Sequence, residues 1–396
     1  MTMGSGTLAV IPFVYQKARL SPRSAVLSTA MLTPRGEALV ATATTAELTS
    51  PQVWLIPTDG TGMTRLTGRL TMLLGLSPDG KWAAYLSQRG PLGLRSDQAD
   101  LRAVRLDGSE DRLIATSVTE GLPQPHAASF SFSPDGSRVA LSDGTKLLVA
   151  TFDGSLPRIL EPVSTTVSGY RVAGWNSEGS EILLMSPPWL ADEGRDILGF
   201  DPGTRQLRTI HTADGLYMYE AGWSRQPEGI RRHLMMVKAE HSARDGLSLM
   251  LMDVASGETE EIAQPACYGG VALSEDERLL AYAVCRGDKN AGYTSEVRLW
   301  DEAAAGSDHI LAVLPDKVTM LSLSPQGDQV LVGRHDTAGD PLPSVILTRT
   351  GSVRDLDPGW IPVGWSGRNR VVLADGYAAQ RLALADPDTG IRIIYP

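Results

Sequence analysis

The sequence contains few of the patterns that mark catalytic, metal-binding or membrane-spanning proteins. Its 396 residues include two cysteines and six histidines, and none of them occurs with C-x-x-C or H-x-x-x-H spacing. Neither a G-x-S-x-G nucleophile elbow nor a glycine-rich phosphate loop appears. No apolar run approaches the length that spans a membrane. We therefore expect no metal, no cofactor and no insertion into a membrane.

The charge balance restricts the classes of binding partner, and the lack of helical patterning restricts the class of fold. A formal net charge of −10 and a pI near 5.2 argue against nucleic acid and anionic membranes as partners. Hydrophobic residues make up 42% of the chain and charged residues 21%, which is typical of a globular protein. No long segment has helical periodicity, so the sequence favours β-structure.

A short motif, Ser133-Pro134-Asp135-Gly136, separates two β-rich runs in FSFSPDGSRVALSDG, residues 130–144. Ser, Pro, Asp and Gly suit successive positions of a type I turn, and Gly can adopt the positive φ that closes a hairpin. Related hairpins begin near residues 30, 74, 173, 221, 271, 321 and 363. They recur about every 42 to 56 residues, which is the period of propeller blades.

Each copy is followed by a second β-rich pair with its own Asp-Gly or Asp-x(2–3)-Gly turn, as in LRAVRLDGSEDRLIA. Every repeat therefore predicts four antiparallel strands, a to d, and such sheets bury their faces by stacking around an axis. The predicted fold is an all-β, eight-bladed β-propeller spanning residues 27–396, with residues 1–26 as an N-terminal extension packed on the ring. A seven-bladed ring is the alternative.

The repeated hairpin resembles the PD40, or WD40-like, repeat of TolB-type propellers, which also builds the propeller domains of prolyl oligopeptidase relatives. This resemblance implies a propeller fold over about nine-tenths of the chain, and it says little about function. Trp175, Trp223 and Trp365 stand where that family often places tryptophan, just before the turn. We expect these side chains to pack between blades.

The long, irregular segments of the repeats all fall on one face. In a four-stranded blade the a–b and c–d turns lie at one end, and the b–c loops and d–a connections lie at the other. Loops longer than the scaffold needs are where binding sites usually occur. We therefore predict a binding face at the b–c/d–a end, with these candidates: Arg95, His126, Trp189, Arg195, Tyr217, Tyr219, His241, Arg244, Arg286, Tyr293, Arg334 and His335.

Two classes of function fit this face. The first is a non-catalytic, monomeric propeller that binds a protein or peptide through the loop face and channel mouth. The Arg, Tyr and Trp residues among the candidates favour it, because these residue types are enriched at protein interfaces. The second is a lyase or hydrolase with an active site at the channel mouth, where His126, His211, His241 and His335 could meet as metal ligands. Replacing the exposed loop residues Trp189, Arg244 or Arg334 by alanine should impair function and leave the melting temperature nearly unchanged.

The two cysteines, Cys267 and Cys285, flank the a–b hairpin of repeat 6. If a bulged type I turn pairs Ser274 with Arg278, residues whose numbers sum to 552 face each other, and the two cysteines do so. Directly opposed residues are close enough for a disulfide. The bond should form in an exported protein, and free thiols should persist in a cytosol.

Overall fold

Strands account for all the regular structure that we describe in this computed structural model. The described residues are 26–45, 48–68, 70–88, 98–119, 129–143, 146–153, 155, 158–160, 170–176, 178–185, 195–213, 216–223, 232–239, 247–254, 256–274, 278–288, 292–301, 307–336, 339–367, 369–375, 381–386 and 390–395. Within these ranges no helix is long and apolar enough to cross a membrane.

The strands follow the predicted repeats from the first to the last. Repeats 1 to 4 form β1 Val26–Leu32, β2 Ala38–Thr45, β3 Leu48–Pro57, β4 Thr64–Arg65, β5 Thr71–Leu76, β6 Trp82–Gln88, β7 Ala99–Arg105, β8 Asp111–Thr119, β9 Ser129–Phe132, β10 Arg138–Ser142, β11 Leu147–Thr151, β12 Arg158–Leu160, β13 Arg171–Trp175, β14 Ile182–Met185, β15 Arg195–Asp201 and β16 Gln206–Ala213. Repeats 5 to 8 form β17 Leu216–Trp223, β18 Arg232–Ala239, β19 Leu247–Asp253, β20 Thr259–Leu273, β21 Leu279–Asp288, β22 Gly292–Asp301, β23 Ser307–Leu314, β24 Val318–Leu323, β25 Gln329–His335, β26 Pro341–Leu347, β27 Val353–Asp355, β28 Trp360–Ser366, β29 Arg370–Asp375, β30 Leu382–Asp386 and β31 Gly390–Tyr395.

Consecutive strands within a repeat pair antiparallel, so each repeat forms one four-stranded blade in the order a-b-c-d. This confirms the predicted fold, an all-β, eight-bladed β-propeller, over the seven-bladed alternative. The chain divides into two compact bodies: the N-terminal body contains blades 1 to 4, and the C-terminal body contains blades 5 to 8. Each body is described by itself below.

Blades 5 and 6 differ from the others because they share a strand. The long strand β20 is the outermost strand of blade 5 and continues as the innermost strand of blade 6, which joins the two blades into a seven-stranded sheet. Its first half pairs with β19 and its second half with β21. The sequence did not predict this continuity, because a break was expected between successive repeats.

The Ser-Pro-Asp-Gly motif forms a four-residue turn that is closed by hydrogen bonds of its serine, aspartate and glycine. In blade 3, the Gly136 amide donates to the Ser133 carbonyl at 2.8 Å, and Gly136 has a φ of 71°. The Ser133 hydroxyl accepts from the Arg138 amide at 2.9 Å and donates to Asp135 at 2.6 Å. Hydrogen bonds from Ser133 and Ser137 lower the pKa of Asp135 to about 2, so its carboxylate is ionised at neutral pH.

The register of these hairpins differs by one residue from the prediction. The turn serine pairs with the residue five positions later, as the Ser274 amide shows by donating to the Leu279 carbonyl at 2.9 Å. Near the turn of the blade 6 hairpin, the numbers of paired residues, such as Leu273 and Leu280, therefore sum to 553 rather than to the predicted 552. The serine hydroxyl closes the wider turn by binding the amide of that fifth residue, Leu279, at 3.0 Å.

The motif also packs successive blades of the N-terminal body against each other. A methyl group placed on Gly80 would lie 2.9 Å from the Cδ atom of Pro34, which belongs to the turn of the preceding blade. The same relation recurs between later turns. A methyl group on Gly136 would lie 3.8 Å from Pro78 Cδ, and one on Gly179 would lie 3.5 Å from Pro134 Cδ. The proline of one turn thus covers the glycine of the next, which gives both residues a role between blades.

A second contact between blades lies on the innermost strands. Strands β5, β13 and β24 each have an irregularity in register, and the residues just before it are Leu73, Val172 and Val318. Their amides donate to hydroxyl groups of the preceding blade: Thr42 at 2.8 Å, Ser129 at 2.7 Å and Ser295 at 3.1 Å. In each case a buried backbone donor is satisfied across the boundary between blades.

Blade 8 meets the same requirement by a different residue. The irregularity of β28 follows Pro362, which has no amide hydrogen to satisfy. Its ring packs on blade 7, where a methyl group on Gly333 would lie 3.1 Å from Pro362 Cγ.

Tryptophan side chains link the same strands, as predicted. The Trp175 indole donates to the Ser131 carbonyl of blade 3 at 3.3 Å, and the Trp365 indole donates to the Ser322 carbonyl of blade 7 at 3.1 Å. Both rings are 7% exposed and pack within apolar clusters. The side chain of Trp223 lies outside the described part of the structure.

The packing of turns predicts unequal effects of two similar substitutions. Gly80→Ala and Gly108→Ala both place a side chain at a positive φ, 68° and 74°, which costs about 1–2 kcal/mol. Nothing lies within 4 Å of a methyl group on Gly108, whereas on Gly80 it would collide with Pro34. We expect Gly80→Ala to lower the free energy of unfolding more than Gly108→Ala, as measured by urea denaturation.

Pro34→Ala provides the control for this comparison. It removes the ring that the new methyl group would meet, so it should reduce the cost of Gly80→Ala and leave that of Gly108→Ala unchanged. Equal costs for the two glycine substitutions would contradict the stacking of the turns.

Candidate functional site

The predicted binding residues divide into three groups according to what the structure describes. Arg95, His126, Trp189, His241 and Arg244 lie outside the described residues. Arg195, Tyr217 and Tyr219 lie on strands β15 and β17, where we describe the backbone alone. The remaining four, Arg286, Tyr293, Arg334 and His335, lie at the b–c or d–a ends of blades 6 and 7 in the C-terminal body.

A disulfide lies at this end of blade 6. It joins Cys267 to Cys285, with a Cα–Cα distance of 5.2 Å. The pairing does not arise from the predicted register, because the paired positions shift between Ala266 and Val271. Cys267 lies within this irregular part of β20.

A buried tyrosine, an arginine and an aspartate form a triad across the strands of blade 6. The Tyr282 hydroxyl and the Arg298 guanidinium both donate to the Asp308 carboxylate, the latter at 2.7 Å. These bonds, led by that from Arg298, lower the pKa of Asp308, and burial raises the pKa of Tyr282. Blade 2 of the N-terminal body has the same triad, formed by Tyr85, Arg102 and Asp111. Because it recurs away from the loop end, we interpret it as structural.

Arg286 extends this line of charges toward the loops. Glu296 accepts from Arg298 at 3.0 Å, and its other oxygen lies 3.7 Å from Arg286. The Arg286 side chain is 64% exposed, so its contact with Glu296 leaves most of the guanidinium accessible to solvent. The structure thus places Arg286 at the loop end of blade 6 with an exposed side chain, and its role in binding stays a prediction.

Tyr293 forms an aromatic–cation pair that the sequence analysis did not identify. The Lys317 Nζ atom lies 5.5 Å from the centre of the Tyr293 ring, a distance at which a cation is attracted to the ring face. Tyr293 is the second residue of β22, after the b–c loop, and Lys317 lies in the connection from blade 6 to blade 7. The short segment Asp316-Lys317 was not considered in the sequence analysis, because the candidates were selected from long, irregular segments.

A second pair of this kind lies at the corresponding end of blade 8. The Arg381 guanidinium is 5.5 Å from the centre of the Trp360 ring, and its Nε atom donates to Asp375 at 2.7 Å. Trp360 begins β28 after a d–a connection, and Arg381 follows a b–c loop. This d–a connection joins blades 7 and 8, and Trp360 was not among the candidates of the sequence analysis.

Arg334 corrects one expectation of the sequence analysis, because it is not an exposed loop residue. Its side chain is 6% exposed and pairs with two carboxylates, Asp316 and, at 2.7 Å, Asp355. Its Nε atom donates to the Ser344 hydroxyl at 3.1 Å, and that hydroxyl donates to Asp355 at 2.7 Å. These contacts of the buried guanidinium hold the loop end of blade 7 together, so the expectation that Arg334 is exposed was wrong.

His335 follows Arg334 at the end of β25, pairs with Pro341 in the β25–β26 register and is half-buried. Of the predicted histidine ligands, His126 and His241 lie outside the described residues. Among the parts of the chain that we describe, no three His, Cys, Asp or Glu side chains are grouped so as to hold a metal ion.

Solved structures with this fold share little sequence with the chain. A structure of prolyl endopeptidases aligns with 91% of this chain at 13% identity and a TM-score of 0.53, and the chain spans 54% of its length. A structure of a eukaryotic initiation factor aligns with 86% of this chain and 89% of that chain, at 13% identity and a TM-score of 0.52. TolB from Acinetobacter baumannii aligns with 83% of this chain and 78% of that chain, at 13% identity and a TM-score of 0.37.

The two similarities with TM-scores above 0.5 show the fold alone. No family model and no curated protein matches the sequence. The resemblance to the PD40 repeat therefore stays a prediction, while the fold that it implied is confirmed.

Arg334 is buried and Arg286 is exposed, so replacing each by alanine should change the free energy of unfolding by very different amounts. Arg334→Ala leaves the carboxylate of Asp316 buried without its partner, which should lower the free energy of unfolding by about 3 kcal/mol or more. Arg286→Ala removes an exposed side chain and should change it by about 0.5 kcal/mol or less. Urea denaturation of both variants measures the difference, and similar small effects would show that the Arg334 cluster is not formed.

Proposed function

We propose that this protein is a non-catalytic β-propeller that binds a protein or peptide partner through the b–c/d–a loop ends of its blades. The observation that supports this most directly is the presence of two aromatic–cation pairs, Tyr293 with Lys317 and Trp360 with Arg381. Tyrosine, tryptophan and arginine are the residues that most often contribute large shares of binding energy at protein interfaces.

The geometry of the pairs suits recognition. In each pair a ring and a long cationic side chain are already ordered by their mutual contact, so binding needs to immobilise less of either one. Tyr293 and Trp360 are each half-buried, which anchors the ring on its blade and leaves part of it accessible. Lys317 is exposed, and the Arg381 side chain is 55% exposed. A partner with apolar and acidic groups could contact both pairs.

The opposite end of the blades has features that favour stability instead. In the N-terminal body the a–b turns are short, and their prolines and glycines are occupied in contacts between blades. Arg112 there lies against the rings of Trp82 and Phe152, so even its cation–aromatic contacts link neighbouring blades. This division supports the loop ends as the binding surface.

The alternative function, a lyase or hydrolase acting at the channel mouth, has less support. The similarity to prolyl endopeptidases concerns a structure of 13% identity, which carries over the fold and no activity. No specific observation among the described residues favours this alternative, and elemental analysis of the purified protein for bound metal tests it directly.

The proposal predicts that a partner contacts Lys317 and does not contact a matched lysine at the turn end. A photo-crosslinking amino acid would replace Lys317 in one variant and Lys81, whose side chain is 64% exposed in a turn of blade 2, in another. In extracts of the source cells, we expect position 317 to yield a discrete cross-linked partner that unlabelled wild-type protein displaces, and position 81 to yield none.

The partner identified by mass spectrometry would then be purified and titrated. Loss of an anchor residue typically costs more than about 1 kcal/mol, so Tyr293→Ala and Lys317→Ala should each weaken binding by about fivefold or more. Lys81→Ala should leave the dissociation constant unchanged. Cross-links at position 81 alone, or equal effects of the two lysine substitutions, would refute the assignment of the binding end.

A further inference from the structure

The disulfide of blade 6 closes an irregular segment of an inner strand. On β20, residues 267–270 lie between two positions that pair with β21, Ala266 with Val284 and Val271 with Tyr282. Four residues therefore oppose one, Ala283. The segment is tightly folded, since a methyl group on Gly270 would lie 3.0 Å from the Cβ atoms of both Cys267 and Ala283.

Ser295 connects this disulfide to the next blade. It is fully buried and pairs with Cys285 across the β21–β22 ladder. Its Oγ atom lies 3.3 Å from the Cys285 sulfur and 3.9 Å from the Cys267 sulfur. The two sulfur atoms thus form one wall of the site that holds the serine hydroxyl.

The hydroxyl of Ser295 holds the connection that leads into blade 7. It donates to the carbonyl oxygen of Asp316 at 2.7 Å and accepts from the amide of Val318 at 3.1 Å. Lys317 lies between these two residues, and its ammonium group is the cation of the pair with Tyr293. The position of Lys317 therefore depends on a side chain that contacts both sulfur atoms.

The redox state of the cysteines changes the hydrogen-bond donors around Ser295. In the disulfide neither sulfur carries a hydrogen, so the sulfur atoms can only accept, and the single hydroxyl hydrogen of Ser295 is directed to Asp316. Two thiols would add two S–H donors beside the same oxygen, in competition with the amide of Val318. They would also release the irregular segment 267–270 from its covalent bond to β21.

We infer that the Cys267–Cys285 disulfide is a redox-sensitive device that sets the position of residues 316–318, so that its reduction by a dithiol loosens the Tyr293–Lys317 pair. For its effect on binding this inference rests on the function proposed above, because it concerns the regulation of that same surface. The change in residues 316–318 itself requires no partner.

The chemical step is a thiol–disulfide exchange with a dithiol reductant. A thiolate of the dithiol attacks the sulfur of Cys285, which is partly buried, rather than that of Cys267, which is 1% exposed. The bond between the cysteines breaks, Cys267 leaves as a thiolate, and a mixed disulfide forms on Cys285. The second thiolate of the dithiol then displaces Cys285. Two electrons pass to the protein, the dithiol becomes a disulfide, and two protons give the free thiols.

Amide hydrogen exchange tests the device in the absence of any partner. We expect reduction of the full-length protein with dithiothreitol to lower the protection of the Val318 amide by about fivefold, which corresponds to the loss of one ordinary hydrogen bond. The chain contains two matched controls, since the amides of Leu73 and Val172 also donate to a hydroxyl of the preceding blade and have no cysteine beside them. Their protection should not change on reduction.

Two variants establish whether the effect passes through Ser295. Cys267→Ala combined with Cys285→Ala should show the lower protection of Val318 and no response to dithiothreitol. Ser295→Ala keeps the disulfide but removes the acceptor, so Val318 should exchange faster in both redox states, without a difference between them. If either variant fails to fold, the comparison of oxidised and reduced wild-type protein still decides the question.

The outcomes separate this inference from the proposed function. Equal protection of Val318 in the two redox states, or an equal loss at Leu73 and Val172, would overturn the inference and leave the proposed binding surface untouched. A redox-dependent Val318 with no partner at position 317 would overturn the proposed function alone. If both hold, the dissociation constant of the partner should rise on reduction of wild-type protein and stay constant in Ser295→Ala.

Discussion

An amide at the irregularity of an inner strand must find its hydrogen-bond acceptor outside its own blade, and much of the structure depends on this constraint. Leu73, Val172 and Val318 each donate to a hydroxyl of the blade before them. An unpaired buried amide would cost about 1–3 kcal/mol, so the acceptor restricts how one sheet can be placed on the next. Two further contacts hold neighbouring blades in that placement. They are the stacking of turn prolines on turn glycines and the hydrogen bond from the Trp175 indole. In blade 8, Pro362 removes the donor, and packing against Gly333 takes its place.

The sequence predicted the features that local chemistry determines. Turn residues define each hairpin, so the eight repeats and their strand order followed from the motif alone. The register did not, because the Ser133 hydroxyl and the Asp135 carboxylate together stabilise a turn one residue wider than the bulged turn that was assumed. The continuity of β20 was also missed, since strand pairing on both sides overrides the break expected between repeats.

The candidate site was predicted in part for the same reason. Placement at the loop end follows from the strand order, and it holds for Arg286 and Tyr293. Burial at that end depends on residues distant in sequence, so Arg334 looked exposed until Asp316 and Asp355 were found beside it. Lys317 and Trp360 were missed because their significance comes from partners, Tyr293 and Arg381, that the fold brings close. A single sequence contains little information on such pairs.

The shared strand β20 determines where the chain can be divided. Between most neighbouring blades a cut leaves whole sheets on both sides, so a fragment ending there retains every hydrogen bond between the strands of its blades. A cut between blades 5 and 6 would divide the seven-stranded sheet that runs from Leu216 to Leu314 and expose a strand edge. A shortened form of the protein therefore keeps this sheet whole only if it retains blades 5 and 6 together.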